Sequence, residues 1–199
     1  MKIQIEKIDA AERQLVVAIK LFFQREDPVA IHTLLGASVQ ILHDYIDIWK
    51  TKEKRSAYEI LKKSIAPEYV KEFFKQYNKA RNFFKHGDRD FQKGQRVLEF
   101  DTDLNYLLIL DGITALQEIS KDKLPIEILI FHLWLISNQP ELYAKETRQQ
   151  IEAQMRRLPD SGAPTNVLRS LEVCSMDLAC IKDMPEERFQ GLFGARYRR

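Results

Sequence analysis

The sequence predicts an all-α protein, a helical bundle with additional C-terminal helices. Helix-start signals recur along the chain, apolar residues repeat at helical spacing, and strand signals are nearly absent. One apolar run, VLEF at 97–100, could be extended, but a single run makes no sheet. We therefore expect a short helix after residue 56 and longer helices near residues 10–25, 28–49, 67–86, 103–120, 125–138, 141–157 and 165–181.

The first two of these helices each carry a start signal. Asp9 and Glu12 have the spacing of a capping box, and Asp27 places an N-cap before Pro28 at the first helical position. The second helix has an apolar stripe that we expect to face the core, made of Ile31, Leu34, Leu35, Ile41, Leu42, Tyr45 and Trp49.

The next two helices are bounded in the same way. Ser56 and Glu59 form a capping box for the short helix, which ends near Pro67. Pro67 then opens PEYVKEFFKQYNKARNFFKH, and Gly87 is the expected residue just past its end.

The second half of the chain predicts a change of organisation. Asp101 or Asp103 caps LNYLLILDGITALQEIS, and Pro125 starts a very apolar helix. We expect residues 1–120 to form a bundle that carries RNFFKH. Residues 121–199 would be an appended helical segment with a basic tail, or part of one continuous domain.

Composition limits the setting and the partners. The chain has 31 basic and 29 acidic residues, so a nucleic-acid site must be a local patch. Cys174 and Cys180, six positions apart on a helix, would point apart, which excludes a disulfide framework and favours a reducing, cytoplasmic setting. The apolar run from Pro125 is too short to span a bilayer, so we expect no membrane association.

The helix from Pro67 has two opposite faces when it is projected at about 100° per residue. One face is apolar and comprises Val70, Phe73, Phe74, Tyr77, Ala80 and Phe84. The other is cationic and comprises Lys71, Lys75, Lys79, Asn82, Lys85 and His86. Lysines and an amide on one face are what contact with an RNA backbone requires, so the four lysines are candidate RNA-binding residues.

Arg81 departs from this pattern because it falls on the apolar flank, beside Phe74 and Tyr77. A guanidinium there must be paired, stacked on an aromatic ring or held at an interface. His86 lies about 140° further round an ideal helix, so the two side chains converge only if the helix ends before His86 or a second copy supplies one of them.

The stretch ARNFFKHG resembles the R-x(4–6)-H motif of the HEPN superfamily, with Arg81 and His86 at its ends. The resemblance implies an all-α, typically dimeric bundle, and in many members a metal-independent ribonuclease without a cofactor. It implies that His86 is the general acid or base, that Arg81 neutralises the phosphoryl oxygens, and that Asn82 orients the histidine or the RNA. The implied reaction is attack of a ribose 2′-hydroxyl on the adjacent phosphate.

A second resemblance is to uncharacterised bacterial proteins, over DPVAIHTLLGA and NFFKHGDRD, and covers about the first 140 residues. It carries no activity with it. Because the NFFKH part recurs among those proteins, it implies a wider cluster of candidate residues, comprising Asn82, Lys85, His86, Asp88 and Asp90.

Other histidines and acids have alternative explanations. His32 could face the motif helix and act as a second functional histidine, and Asp88 and Asp90 could assist His86 or simply be solvated. His43 and Asp44 form an HD dipeptide, but without a partner histidine at the spacing of helical HD phosphohydrolases. We predict no metal site and no cofactor.

Two functions from different classes follow. The first is a HEPN-like RNA-binding protein or metal-independent endoribonuclease that acts as a homodimer through Arg81 and His86. The alternative is a non-catalytic all-α dimer that binds a protein partner or a small ligand, with both residues as structural polar groups.

Overall fold

A computed structural model describes residues 2–49, 56–86, 94, 96–120, 124–149, 187 and 197–198. The chain divides into two compact units, residues 1–119 and 120–199. The described residues are predominantly helical and contain a sheet of two short strands, so the predicted all-α class is confirmed. No helix among these residues combines the length and the apolar character needed to cross a lipid bilayer.

The first unit contains five described helices. They are α1 (Lys7–Phe23), α2 (Pro28–Trp49), α3 (Ala57–Ser64), α4 (Pro67–Lys85) and α5 (Leu104–Ile119). The second helix packs against α1, α5, α4 and α3, so it forms the centre of the bundle. Of the stripe predicted on it, Ile31, Leu35 and Leu42 are buried, and Leu34, Ile41 and Tyr45 are half-buried. The Trp49 side chain lies outside the described part.

The core of this unit is formed by the contact of α1, α2 and α5. Leu15, Leu35 and Leu108 are fully buried there. Gly112 of α5 allows close approach of α1, because a Cβ atom at this position would lie 3.0 Å from Leu15 Cδ1. The Ser38 hydroxyl donates to a carbonyl oxygen of α1 at 2.7 Å, which satisfies a polar group within the interface.

The helix starts show which predicted caps form. Asp27 Oδ1 accepts hydrogen bonds from the backbone N–H groups of residues 29 and 30, both at 2.9 Å, and Ser56 Oγ accepts one from residue 59 at 3.3 Å. These two caps are confirmed. The predicted cap at Asp9 is wrong, because α1 already begins at Lys7 and Asp9 lies in its first turn. A carboxylate there still interacts favourably with the helix N-terminus.

The second unit begins with β1 (Leu124–Pro125) and α6 (Ile126–Asn138), followed by a 3-10 turn (Pro140–Leu142) and helical residues 145–149. The predicted helix from residue 141 therefore starts later, after the turn; its remainder and the helix predicted at 165–181 lie outside the described residues. Strand β1 pairs in parallel with β2 (Tyr197–Arg198). The helix predicted from the run after Pro125 is confirmed as α6, and it is largely buried.

Candidate functional site

Helix α4 begins at Pro67 because the preceding Ala66 has extended backbone angles and proline is pre-organised for the first helical position. Its apolar face packs inward, with Val70, Phe73, Tyr77 and Ala80 buried. The helix ends at Lys85, and the backbone N–H of residue 86 still donates to residue 82 at 3.0 Å.

The opposite face of α4 is solvent-exposed. We call it the lysine face, and define it as Lys71, Lys75, Lys79, Asn82 and Lys85, all of which are exposed. One acid lies close to it: Glu72 accepts from the Gln76 amide at 2.6 Å and lies 3.5 Å from the Lys75 ammonium. The Gln76 hydrogen bond, with smaller contributions from the lysines, lowers the pKa of Glu72. An exposed pair of this kind contributes little to stability, so Lys75 remains available to a ligand.

Arg81 is half-buried and held against α2. Its Nη1 group donates to Gln40 Oε1 and to the Tyr77 hydroxyl at 3.4 Å, and its guanidinium carbon lies 5.2 Å from the centre of the Tyr77 ring. Gly36 lies beside its stem, where an added Cβ would make an ordinary contact with Arg81 Cγ at 3.6 Å. The guanidinium is therefore both paired and stacked, as its position on the apolar flank predicts.

A polar chain extends from Arg81 along the surface of α2. Gln40 accepts from Arg81 through Oε1 and donates through Nε2 to Asp44 Oδ1 at 2.6 Å. Burial raises the pKa of the Tyr77 hydroxyl, and the neighbouring guanidinium opposes that shift. These hydrogen bonds orient Gln40 and link the Arg81 guanidinium to the Asp44 carboxylate through Gln40, without direct contact between the two charges.

His86 follows the last helical residue and is half-buried, while Asn82 is exposed. Among the described contacts, no hydrogen bond or ring contact joins His86 to Arg81. Within one chain the two ends of the motif are thus separate. Asp88 and Asp90, the predicted accessory acids, and Gly87, the predicted end of the helix, lie outside the described residues.

His32 faces α4 but lies within the core. It is 1% exposed, and its ring packs edge-on against Phe84 and Phe100, with centroids 5.6 and 5.0 Å away. Its Nδ1–H donates to Asn105 Oδ1 at 3.0 Å, a tautomer indicated by the Asn105 amide donating in turn to the Pro28 carbonyl at 3.1 Å. Burial lowers the pKa of His32, and its enclosed Nε2 has no hydrogen-bond partner among the described residues. In this position it ties α2 to α5.

A second histidine pair joins the same two helices and was missed by sequence reasoning. His43 Nε2 lies 2.8 Å from Asp111 Oδ1; the histidine side chain is 17% exposed and the carboxylate only 1%. Within the described part of the chain, the other carboxylate oxygen, Oδ2, has no hydrogen-bond partner. A lone acid within the apolar run LLILDGI was the available signal, because a buried carboxylate requires a partner. Spacing along the sequence favours Asp47, four residues further on in the same helix, as the partner of His43.

His43 and Asp111 each influence the pKa of the other. Burial by itself would lower the pKa of His43, but the hydrogen bond and charge of Asp111, with Asp47 and Asp44, outweigh it and raise that pKa. Burial raises the pKa of Asp111, and His43 opposes the shift. Asp47 has a structural role as well, since its Oδ1 accepts from the backbone N–H of Ala57 at 3.2 Å, at the start of α3.

The described residues therefore offer an exposed cationic face on α4, a motif arginine fixed on α2, and a buried His–Asp pair. No group of three His, Cys, Asp or Glu side chains in this part of the chain converges to hold a metal ion. No family model, curated protein or solved structure matches the chain.

Proposed function

We propose that the protein binds RNA and that the lysine face of α4 contacts its phosphate backbone. The observation that supports this most directly is the exposure of Lys71, Lys75, Lys79 and Lys85 on one face, opposite the buried side of the helix. Successive lysines four positions apart rise by about 6 Å along the axis, so they form a row rather than a cluster. Such a row can follow a phosphate backbone.

The charge distribution supports a local site. The chain carries a formal charge of only +2, yet the segment from Lys71 to Arg96 has eight basic residues against three acids. The row is also supported rigidly, because the buried residues of the same helix fix it to the bundle. A contact of this type is electrostatic and independent of sequence.

The test is a salt titration of RNA binding by fluorescence anisotropy. Neutralising Lys71, Lys75 and Lys79 together with glutamine should weaken binding and reduce the slope of log K against log salt by about 2, since each phosphate contact on a single strand contributes about 0.7. The matched control neutralises Lys2, Lys7 and Lys62, which are also exposed on this unit. Equal losses in both triple variants, or a wild-type protein that binds no RNA, would refute the proposal.

Metal-independent cleavage is the further step that the HEPN resemblance implies. Arg81 uses Nη1 for its described hydrogen bonds, so its other N–H groups can still donate to phosphoryl oxygens. Because no described hydrogen bond or ring contact joins His86 of the same chain to Arg81, a composite site needs His86 from a second copy. The nuclease proposal therefore requires a dimer formed around α4.

Incubation of total RNA with purified protein in EDTA tests cleavage directly. His86→Ala should remove an acid–base contribution of about 10²- to 10⁴-fold with the fold unchanged. Sedimentation measures whether the active species is a dimer. Identical RNA profiles for wild type and His86→Ala would exclude the nuclease step and leave RNA binding to be judged by the salt titration.

A further inference from the structure

A cavity opens beside the lysine face, between α4, the start of α5 and the segment 98–101 that precedes it. Its volume is about 610 Å³, and its floor is apolar, formed by residues that include Phe73, Leu104 and Leu107. Sites for small ligands and isolated groups have volumes of this size. Lys79 belongs both to the cavity wall and to the lysine face, so the two surfaces are continuous.

Two aromatic rings on the cavity wall retain accessible surface. Tyr69 and Phe100 line the cavity, and both are half-buried rather than buried. Phe100 is fixed in place because it packs edge-on against Phe84 and His32, with centroids 5.1 and 5.0 Å away. A planar group entering the cavity would therefore meet aromatic surface that is already ordered, which suits stacking of a nucleobase.

The polar groups of the wall favour a base over a phosphate. Glu72, Glu99 and Asp101 contribute carboxylates, which repel an anion and accept hydrogen bonds from amino groups. Glu72 is engaged by Gln76, and one oxygen of Asp101 accepts from the backbone N–H of Asp103 at 3.0 Å. Glu99 is exposed and is the strongest candidate acceptor.

We infer that this cavity receives an unstacked base of single-stranded RNA whose backbone lies on the lysine face. The inference rests on the proposed RNA binding and names its substrate class. Bases with amino groups, adenine, cytosine and guanine, should be preferred to uracil, because the acceptors Glu99 and Asp101 can bind an amino group and uracil has none. A duplex, with its bases stacked and paired, cannot place one in the cavity.

The test compares three short RNAs of equal length by fluorescence anisotropy: an alternating cytosine–adenine strand, oligouridine and a duplex. The cytosine–adenine strand should bind most tightly. Tyr69→Leu should weaken its binding about 5-fold or more, the lower limit for loss of one base stack, while Tyr69→Phe, which keeps the ring, should bind like wild type. Tyr58→Leu, at an exposed tyrosine on α3, is the matched control and should bind like wild type as well.

Two further measurements test recognition of the base independently of any change in the stability of the protein. Glu99→Gln should reduce the preference for cytosine–adenine over uridine without weakening overall affinity, because it removes a negative charge. A 2-aminopurine placed in the cytosine–adenine strand should brighten on binding to wild type and Tyr69→Phe, as it leaves its neighbours, and should brighten less with Tyr69→Leu.

The outcomes distinguish the two proposals. If RNA binding is salt-dependent and is lost in the lysine variant, but is unchanged in Tyr69→Leu and equal for all three RNAs, the base pocket alone is overturned. If wild type binds none of the RNAs, both proposals fall.

Discussion

The pair His43–Asp111 makes a quantitative prediction about stability. The Asp111 side chain is 1% exposed, one of its oxygens accepts from His43 at 2.8 Å, and the other has no hydrogen-bond partner in the part of the chain that the structure describes. His43→Ala removes the described partner of a buried carboxylate. Breaking a buried pair from one side costs about 3–5 kcal/mol, and because His43 is 17% exposed, water can partly replace it. We therefore expect a loss of about 3 kcal/mol.

A double-mutant cycle with Asp111→Asn isolates the contribution of the Asp111 charge to the free energy of unfolding. Asp111→Asn removes the buried charge but keeps an oxygen that can accept from His43, at a cost of about 1–3 kcal/mol for the amide group that it buries. In that background His43→Ala leaves no uncompensated charge and should cost about 1 kcal/mol. Urea unfolding of the full chain, followed by circular dichroism, measures all four free energies.

The same pair predicts how stability depends on pH. Because the pKa of His43 is raised in the folded state, the folded protein holds a proton that the unfolded chain releases above its ordinary value of 6.5. Its stabilisation is fully present below pH 6.5 and is lost as pH rises through the raised pKa. The pKa of His32 is lowered in the folded state, so its contribution makes stability rise with pH, but only below pH 6.5. Burial raises the pKa of Asp111 as well, so that carboxyl would go on titrating in His43→Ala alone; the fall in stability above pH 6.5 should disappear in the double variant His43→Ala, Asp111→Asn.

Two results would refute this reasoning. One is a cost for His43→Ala below about 1 kcal/mol, which is no more than an ordinary hydrogen bond contributes. The other is the same cost in the wild-type and Asp111→Asn backgrounds, which would show that the carboxylate charge is not what His43 stabilises.

Three further predictions follow from packing and capping, and each is measured by the urea midpoint. Arg81→Ala should destabilise by about 1–2 kcal/mol, because it removes hydrogen bonds from a charged, half-buried donor; no change would show that Arg81 is free for another role. Asp27→Ala should cost about 1 kcal/mol through loss of the N-cap, whereas Glu26→Ala, at the exposed neighbour, should cost nothing measurable. Gly36→Ala should stabilise the protein by about 0.5–1 kcal/mol, because the added Cβ makes an ordinary contact. Gly112→Ala should destabilise it, because Leu15 must shift to make room. A stabilising Gly112→Ala with a destabilising Gly36→Ala would contradict the packing described.

The HEPN-like motif shows where a spacing pattern stops being informative. Arg81 and His86 have the separation of the R-x(4–6)-H motif, and the position of Arg81 on an apolar flank correctly predicted that its guanidinium has a partner. It could not name Gln40, which lies 41 positions earlier on another helix. The partner depends on how α2 and α4 cross, which is decided by packing between residues far apart in the sequence.

The sequence by itself determined the helical class, most helix boundaries and the exposed row of lysines, because these depend on local signals: caps, prolines and the period of about 3.6 residues. Even the buried run after Pro125 could be recognised as a helix. Only the tertiary structure decided that His32 is enclosed by aromatic rings, that His43 pairs with Asp111 rather than Asp47, and that a cavity adjoins the lysine face. Those facts join residues tens of positions apart, and side-chain packing between helices fixes them while leaving no periodic trace in the chain.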